Sequence, residues 1–164
     1  MTGPDGAGPD VADPDGGPLD AGLAAAQEAL VRAMTAGGPL PAGFDPGDVG
    51  AAARSILRKR AGEVARAWPL LAGSFGDGWD DAFARWAAER PTSGSVRDAW
   101  DFARDHRAGL SPSAARELAL TEARWAYDGA SAPRRRRAAV RRVPGGLAVQ
   151  VLGRVRVLAP ALPR

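Results

Sequence analysis

The sequence predicts a mainly α-helical protein: a five-helix bundle with a short C-terminal β-hairpin or three-stranded ribbon. Large apolar residues recur at helical spacing from Leu19 onward. Gly and Pro residues interrupt this pattern at intervals that suit helix ends. After residue 137 the pattern changes to Val-rich alternation around a Pro-Gly-Gly turn at 144–146, which is typical of short strands.

The same patterns divide the chain into five segments along its 164 residues. The ends are poor in large apolar residues, and the first is rich in Gly, Pro and Asp, a composition that favours disorder. The predicted segments are a disordered acidic tail at 1–18, a helical bundle domain at 19–128, a basic linker at 129–137, a β-ribbon at 138–159 and a tail at 160–164.

The first two helices are predicted from an apolar stripe and from a capping signal. Leu23 and Leu30 lie on one face of the first helix, which ends at the glycines and proline of 37–39. Asp45 is suited to cap the second helix and Pro46 to its first position. Pro69 disfavours helix at the preceding residue, so the second helix should end near Trp68. Leu70 and Leu71 are then expected to fill the core.

Three further helices are predicted between residues 79 and 125. Trp79, Phe83 and Trp86 form one apolar stripe that ends near Arg90-Pro91. Ser95 and Asp98 resemble a capping box that opens a helix ended by Gly109. The last helix begins at Ser111-Pro112, and its inner face is expected to carry Ala115, Leu118, Glu122 and Trp125.

The C-terminal ribbon is expected to have one apolar face and one cationic face. In its last segment, Val155 and Val157 alternate with Arg154 and Arg156. Because successive side chains of a strand point to opposite faces, this alternation indicates a half-buried ribbon with arginines outside.

Charge and residue usage exclude several classes of protein. The net charge of +3 hides a polarity: residues 1–20 carry five Asp and no basic residue, whereas residues 129–164 carry nine Arg and no acidic residue. The chain has no Cys and one His, which excludes disulfides, thiolate chemistry and His-rich metal sites. No apolar run is long enough for a membrane span and no signal peptide is recognised, so a cytoplasmic location is expected. The high content of Arg, Ala, Gly and Pro indicates a GC-rich bacterial genome.

No residue constellation predicts catalysis or a bound cofactor. His106 lies near a helix C-terminus, where an exposed imidazole interacts favourably with the helix dipole. Asp80 and Asp81 are adjacent on a helix and therefore point apart, as on a solvated face. The glycine-rich stretches lack the strand, turn and helix context of a phosphate-binding loop. We therefore expect a protein that is not an enzyme and holds no cofactor.

Seven residues are predicted to have structural roles. Glu122 falls between apolar positions of the last helix, so its carboxylate should be paired, with Arg58 or Arg60 as the natural candidates. The tryptophans lie on apolar stripes and are expected in the core rather than on a stacking surface. The predicted structural residues are Arg58, Arg60, Trp68, Pro69, Trp100, Glu122 and Trp125.

A cluster of C-terminal arginines is the feature that most directly predicts a binding partner. It could follow nucleic-acid phosphates or bind an acidic peptide or protein face, or it could be a solvated linker. No aromatic residue follows Tyr127, which disfavours base stacking. A ribbon with a free edge could also bind an extended peptide by strand addition. The candidate partner-binding residues are Arg134, Arg135, Arg136, Arg137, Arg141, Arg142, Arg154 and Arg156.

Residues 25–127 also carry short motifs that resemble those of a known family. The motifs include an aromatic-Pro step, a Pro-Ser turn and a last-helix signature. They are Ile56-Leu57-Arg58-Lys59-Arg60, Ala67-Trp68-Pro69-Leu70-Leu71, Phe83, Arg90-Pro91-Thr92-Ser93-Gly94-Ser95-Val96, Trp100-Asp101-Phe102 and Glu117-Leu118-Ala119-Leu120-Thr121-Glu122-Ala123. This stretch is similar to the helical N-terminal domain of the HvfC/BufC family.

The resemblance implies a non-catalytic adapter. HvfC/BufC proteins, once labelled putative DNA-binding proteins, are partners of multinuclear non-heme iron-dependent oxidases that modify ribosomally made precursor peptides. It implies an iron-dependent oxidase as protein partner, with the iron held by that partner, and an acidic precursor peptide as a possible second partner. A short Arg-rich ribbon stands where that family has a larger second domain. A nucleic-acid-binding protein that uses the C-terminal arginines is the alternative.

Overall fold

The computed structural model describes residues 18–159, without the side chains of 18–20. Six α-helices are followed by two small antiparallel sheets. Most of the predicted tails, 1–17 and 160–164, lies outside the described residues. The helices are α1 (Pro18–Ala36), α2 (Pro46–Ala67), α3 (Pro69–Gly73), α4 (Trp79–Ala87), α5 (Ser95–Asp105) and α6 (Pro112–Arg124). The strands are β1 (Trp125–Ala126), β2 (Arg134–Arg135), β3 (Ala138–Val143), β4 (Gly146–Val151) and β5 (Arg154–Leu158).

The mainly helical class with β-structure at the C-terminus is therefore confirmed, although six helices replace the predicted five. The additional helix is α3, which begins at Pro69 immediately after the chain turns at Trp68. Proline at a first helical position starts a new helix readily because its missing N–H has no partner to lose there. Leu71 is fully buried, but Leu70 is 48% exposed, so only one of the two leucines fills the core.

Local signals determine where α2 begins and ends. The Asp45 side chain accepts a hydrogen bond from the Asp48 N–H at 2.9 Å, and Pro46 follows at the first helical position. The helix ends at Ala67, where the following Trp68-Pro69 step leaves the helical conformation. The predicted cap and break are both confirmed.

An aromatic cluster forms the centre of the helical core. Trp79, Phe83 and Phe102 are buried with ring centroids 5.3–5.8 Å apart, at separations typical of favourable aromatic pairs. The Trp79 indole also donates to the Ala61 carbonyl at 3.1 Å, which satisfies its polar atom inside the core. Burial of one such side chain stabilises the fold by about 1.5–3 kcal/mol.

A buried ion pair joins α2 to the start of α5. Arg60 donates to the Asp98 carboxylate at 3.1 Å, and both side chains are almost fully buried. The other Asp98 oxygen accepts from the Ser93 N–H at 2.8 Å, and Thr92 also donates to Asp98. The predicted capping box is wrong, because Gly94 occupies the N-cap position and the Asp98 carboxylate instead holds the preceding turn.

The C-terminal sheet packs one face on α6. Its strand order is β3-β4-β5, and β3 lies closest to the helix. The inner face carries buried Val143, Ala148 and Gln150, which share it with half-buried Val155 and Val157. Together with Ala119 and Leu120 of α6 these side chains form a second, smaller apolar cluster.

The segment predicted as a basic linker at 129–137 contains a strand. Arg134 and Arg135 form β2, which pairs with Trp125 and Ala126 of β1 directly after α6. The Arg136 N–H donates to the Arg124 carbonyl at 2.9 Å and extends this pairing to the end of the helix. The arginine run is therefore folded back on the helical domain over this stretch.

No helix within residues 18–159 is long and apolar enough to cross a membrane.

Candidate partner-binding surface

The eight predicted partner-binding arginines are divided among three places. Arg142, Arg154 and Arg156 lie on the outer face of the three-stranded sheet. Arg141 lies on the inner face of this sheet, opposite Ala148, and is half-buried. The four arginines of 134–137 precede the sheet in and after β2.

The outer face of the sheet, defined by the exposed side chains of β3, β4 and β5, is both apolar and cationic. Cross-strand register places Val140, Val149 and Arg156 in one row. A second row consists of Arg142, Leu147 and Leu158. Val140 is 56% exposed and Val151 54%, so the apolar members of this face lack cover within the described chain. The predicted Arg-lined outer face is confirmed, but it is also richer in exposed aliphatic side chains than expected.

The arginines of the β2 region surround Trp125. The Arg135 guanidinium lies 5.0 Å from the centroid of the Trp125 ring, a cation–π arrangement. Arg136 donates from Nε to the Trp125 carbonyl at 3.0 Å. These contacts fix two guanidinium groups near one another at the C-terminal end of α6.

These residues line a cleft of about 350 Å³ between α6, β2 and the β4–β5 turn. Its walls are Arg124, Trp125, Arg135, Arg136, Gln150 and Gly153. Arg124 and Gln150 are not among the residues predicted from the sequence to bind a partner. Their participation follows from the return of the chain through β2, which no local pattern predicts.

The eight arginines make no ion pair within the described part of the chain. Its ion pairs within 4.0 Å join acidic residues to Arg32, Arg60, Arg90, Arg104 and Arg107. Guanidinium groups without carboxylate partners remain available to an external anion. In this the eight arginines differ from Arg60, Arg104 and Arg107, whose charges are neutralised by carboxylates of the helical region.

The predicted pairing of Glu122 with Arg58 or Arg60 is wrong. Glu122 accepts hydrogen bonds from Arg104 at 3.1 Å and Arg107 at 3.0 Å. The reason is helix packing: α5 lies beside α6, whereas Arg60 faces Asp98 and Arg58 is exposed. Burial raises the pKa of Glu122, but the hydrogen bonds and charges of the two arginines outweigh burial and lower it below the ordinary value.

The tryptophans are placed largely as predicted. Trp68 and Trp100 are buried with ring centroids 6.2 Å apart, and Pro69 after Trp68 starts α3. Trp125 is half-buried and packs against the core, but it belongs to β1 and not to the last helix as predicted. Trp125 also lies in the wall of the cleft.

A polar junction connects the helical domain to the C-terminal segment. The Tyr127 hydroxyl donates to Asp101 at 2.8 Å, and Arg104 donates to the Tyr127 carbonyl at 3.0 Å. Burial, with the hydrogen bond to Asp101, raises the pKa of Tyr127 to about 12. Burial likewise raises the pKa of Asp101. The chain therefore leaves α6 in a fixed direction toward β2.

His106, Asp80 and Asp81, the residues considered as catalytic candidates, lie in two different surroundings. His106 is half-buried instead of exposed: its ring stacks on Phe102 with centroids 4.1 Å apart, and its Nδ1 lies 2.9 Å from the Phe102 carbonyl oxygen. Asp80 and Asp81 are both exposed in the first turn of α4. Within residues 18–159, no group of three or more His, Asp and Glu side chains is placed to hold a metal ion.

Comparison with known proteins finds a curated protein that is similar to part of this chain. A UPF0276 protein of Streptomyces avermitilis is 44% identical over 82 residues, which cover 49% of this chain. The chain spans only 17% of that relative's length. No solved structure matches.

The SCO6045-like C-terminal domain matches residues 24–108, which run from α1 into the turn after α5. This match covers just over half of the chain and leaves α6 and both sheets outside it. Through this helical segment, the chain belongs to the SCO6045-like C-terminal domain family.

Proposed function

We propose that this protein is a non-catalytic adapter, which binds a larger enzyme through its helical domain and an acidic peptide through its C-terminal arginines. The observation that carries the proposal is the size of the relative: the matched segment occupies 17% of a longer chain. A domain that occurs attached to a large further polypeptide is expected to work beside a partner of that kind.

The resemblance of residues 25–127 to the HvfC/BufC family supports a more specific partner. On this proposal the partner is a multinuclear non-heme iron-dependent oxidase that holds the iron itself, and the peptide is the acidic leader of a precursor. The chain's own residue usage, without Cys and with a single His, suits a role that leaves metal chemistry to the partner.

The first helix and the loop after it offer an apolar surface for docking the enzyme. Leu23 and Val31 on α1 are both more than half exposed, and Leu40 and Phe44 in the following loop are exposed as well. Because α1 packs mainly on α2, its other side is free within the described chain. We propose that this α1 surface, comprising these four side chains, contacts the larger partner.

The three-stranded sheet offers the contacts for an extended peptide. Strand β5 pairs only with β4, so its other edge presents unpaired backbone groups within the described chain. An added peptide strand would gain backbone hydrogen bonds there, and Arg154 and Arg156 on that strand would favour acidic side chains.

Nucleic-acid binding is the second candidate, and the same outer face favours it. Arg142, Arg154 and Arg156 are exposed cations without an ion-pair partner among the described residues. Phosphate contacts of this kind would give an affinity that falls steeply with salt and depends little on sequence.

The direct test uses a second protein from the same organism as this chain, namely the one that is similar to the part of the UPF0276 relative outside the matched segment. This protein is purified and mixed with the full chain. Light scattering after gel filtration is expected to show a complex, and its iron content should follow the partner and not this chain. Leu23→Ser combined with Phe44→Ser should weaken the complex.

Val96→Ser is the matched control, because Val96 is 51% exposed on α5, whereas α1 packs mainly on α2. Absence of any complex would contradict the adapter proposal. Nucleic-acid binding would be supported instead if the chain retained an oligonucleotide but bound neither the larger partner nor an acidic peptide.

A further inference from the structure

We infer that the cleft between α6, β2 and the β4–β5 turn binds an acidic residue of a peptide, with the carboxylate held by arginines and the peptide N–H held by Gln150. This inference deepens the proposed function, on which it rests, because it names a site for the peptide away from the outer face of the sheet.

The cleft gathers positive charge without a compensating carboxylate. Arg124, Arg135 and Arg136 all line it, and none of them has an ion-pair partner within the described residues. Arg136 uses its Nε for the Trp125 carbonyl, so its two terminal nitrogens remain as donors. Neighbouring cations repel one another, and an anion between them would replace that repulsion with charge-assisted hydrogen bonds.

A buried acceptor in the same cleft requires a hydrogen-bond donor. Gln150 is 1% exposed, and its Nε2 donates to the Arg136 carbonyl at 2.8 Å. Its Oε1 is buried and has no hydrogen-bond partner in the described chain. Buried polar atoms are rarely left unpaired, because desolvation without a hydrogen bond is costly. The other unpaired buried polar atoms, Arg60 Nε and Trp100 Nε1, belong to side chains of the helical core.

The two requirements together select an acidic residue within a peptide. Such a residue brings a carboxylate for the arginines and a backbone N–H for Gln150 Oε1. A nucleic-acid phosphodiester satisfies the arginines, but it carries acceptors only and would face the Gln150 oxygen unfavourably. The cleft therefore favours an acidic peptide over a DNA backbone, which has no hydrogen-bond donor.

The turn beside the cleft supplies an exposed apolar contact. Leu152 and Gly153 connect β4 to β5 with φ of 48° and 86°, and Gly153 lines the cleft. A leucine in the left-handed region is strained, and this one is 80% exposed. An aliphatic side chain of the peptide next to the acidic residue would be covered by Leu152.

In the test, a short blocked peptide of alternating Asp and Val is added stepwise to the full chain. Binding is monitored in NMR spectra through the signals of the Trp125 indole N–H and the Gln150 side-chain amide. Both signals are expected to shift with the Asp peptide and not with the same peptide carrying Asn at each Asp position. Arg135→Gln should raise the Kd about tenfold or more, since it removes one charge-assisted contact.

Gln150→Glu is expected to abolish binding, because it places a carboxylate inside the cleft. Arg66→Gln is the matched control: it removes the same charge from an exposed position on α2 and should change the Kd by less than about twofold. Arg142→Gln tests the outer face of the sheet as the alternative peptide site. Circular dichroism checks the fold of each variant. If Gln150→Glu does not fold, Arg135→Gln remains as the test, because Arg135 is exposed.

Peptide binding that is lost with Arg142→Gln and unchanged with Arg135→Gln would overturn the cleft while leaving an adapter that binds peptide on the outer face. The cleft site would also be overturned if neither NMR signal shifted on addition of the Asp peptide. It would be overturned as well if oligo(dT) displaced the peptide and shifted the same two signals. Failure of the adapter proposal is seen separately, as absence of a complex with the larger partner.

Discussion

The helical region neutralises some of its arginines inside the fold, whereas the C-terminal segment neutralises none within the described residues. Arg60, Arg104 and Arg107 in the helical region bind Asp98 or Glu122 and hold helices together. The C-terminal arginines have no carboxylate partner in the described chain, although several are fixed in place by backbone and aromatic contacts. Helical arginines such as Arg58 and Arg66 are exposed and unpaired within residues 18–159 as well, so neither arginine content nor a missing carboxylate locates a binding surface alone. The arginines around Trp125 differ because fixed contacts hold them in one cleft.

The two regions also differ in what holds them together. The helical core contains a cluster of buried aromatic rings, including Trp79, Phe83, Trp100 and Phe102. The sheet has a smaller core of Ala119, Val143 and Ala148 with three half-buried aliphatic neighbours. Less apolar burial predicts that the sheet opens more readily than the helices.

The largest expected effect comes from breaking the buried ion pair of the helical region. Asp98→Ala leaves Arg60 charged and unpaired, and it frees the turn at 92–94. We expect a loss of about 3–5 kcal/mol in the free energy of unfolding, measured by urea denaturation. Asp80→Ala, on an exposed face, should change stability by less than about 0.5 kcal/mol. Equal effects of the two would remove the distinction between paired and solvated charges.

The stabilisation that Glu122 gives to the helical region is expected to depend on pH. Because the folded-state pKa is below that of the unfolded chain, its stabilisation is present above the ordinary pKa of 4.5 and is lost as pH falls through the folded value. Glu122→Gln should reduce stability at pH 7 by about 1 kcal/mol. Unfolding curves between pH 7 and 3 should show a shallower loss for this variant, and parallel curves would contradict the assigned pairing.

A smaller effect of opposite sign is expected at the turn of the sheet. Leu152→Asn places a residue that tolerates the left-handed conformation before Gly153, as in favoured two-residue hairpins. We expect a gain of about 1 kcal/mol, measured as a higher urea midpoint. The same variant should bind the Asp-Val peptide more weakly, since the exposed leucine is gone. A loss of stability would show that the Leu152 side chain supports the sheet.

The smallest effect on stability is expected on the outer face of the sheet. Changing Arg142, Arg154 or Arg156 singly to Gln should alter the free energy of unfolding by no more than about 0.5 kcal/mol. Oligonucleotide retention, measured by fluorescence anisotropy at low salt, should fall with the lost charge. A large loss of stability would place these arginines among the structural ones.

Features that depend on neighbouring residues in sequence were predictable. The cap at Asp45, the break at Trp68-Pro69 and the alternation in β5 each follow from local backbone and side-chain rules. The mainly helical class and the C-terminal sheet follow in the same way.

Features that depend on which segments meet were not predictable. Glu122 lies next to α5 and not next to the arginines of α2, and only the packing of helices decides this. The cleft combines the end of α6, β2 and the β4–β5 turn, so Arg124 and Gln150 gain a shared site through tertiary structure alone. Similarly, Leu70 and Leu71 have the same chemistry, and the start of α3 at Pro69 decides which one is buried.

The central claim is that this chain binds a larger partner through its helices and an acidic peptide through its C-terminal segment. Isothermal titration of the full chain into the purified partner, with and without the acidic precursor peptide, tests it most directly. We predict one-step binding that Leu23→Ser with Phe44→Ser weakens, and a peptide affinity that Arg135→Gln weakens without changing partner binding. Absence of heat with the partner at two well-separated temperatures, with peptide present or absent, would contradict the account, because a binding enthalpy that is zero at one temperature is not zero at the other.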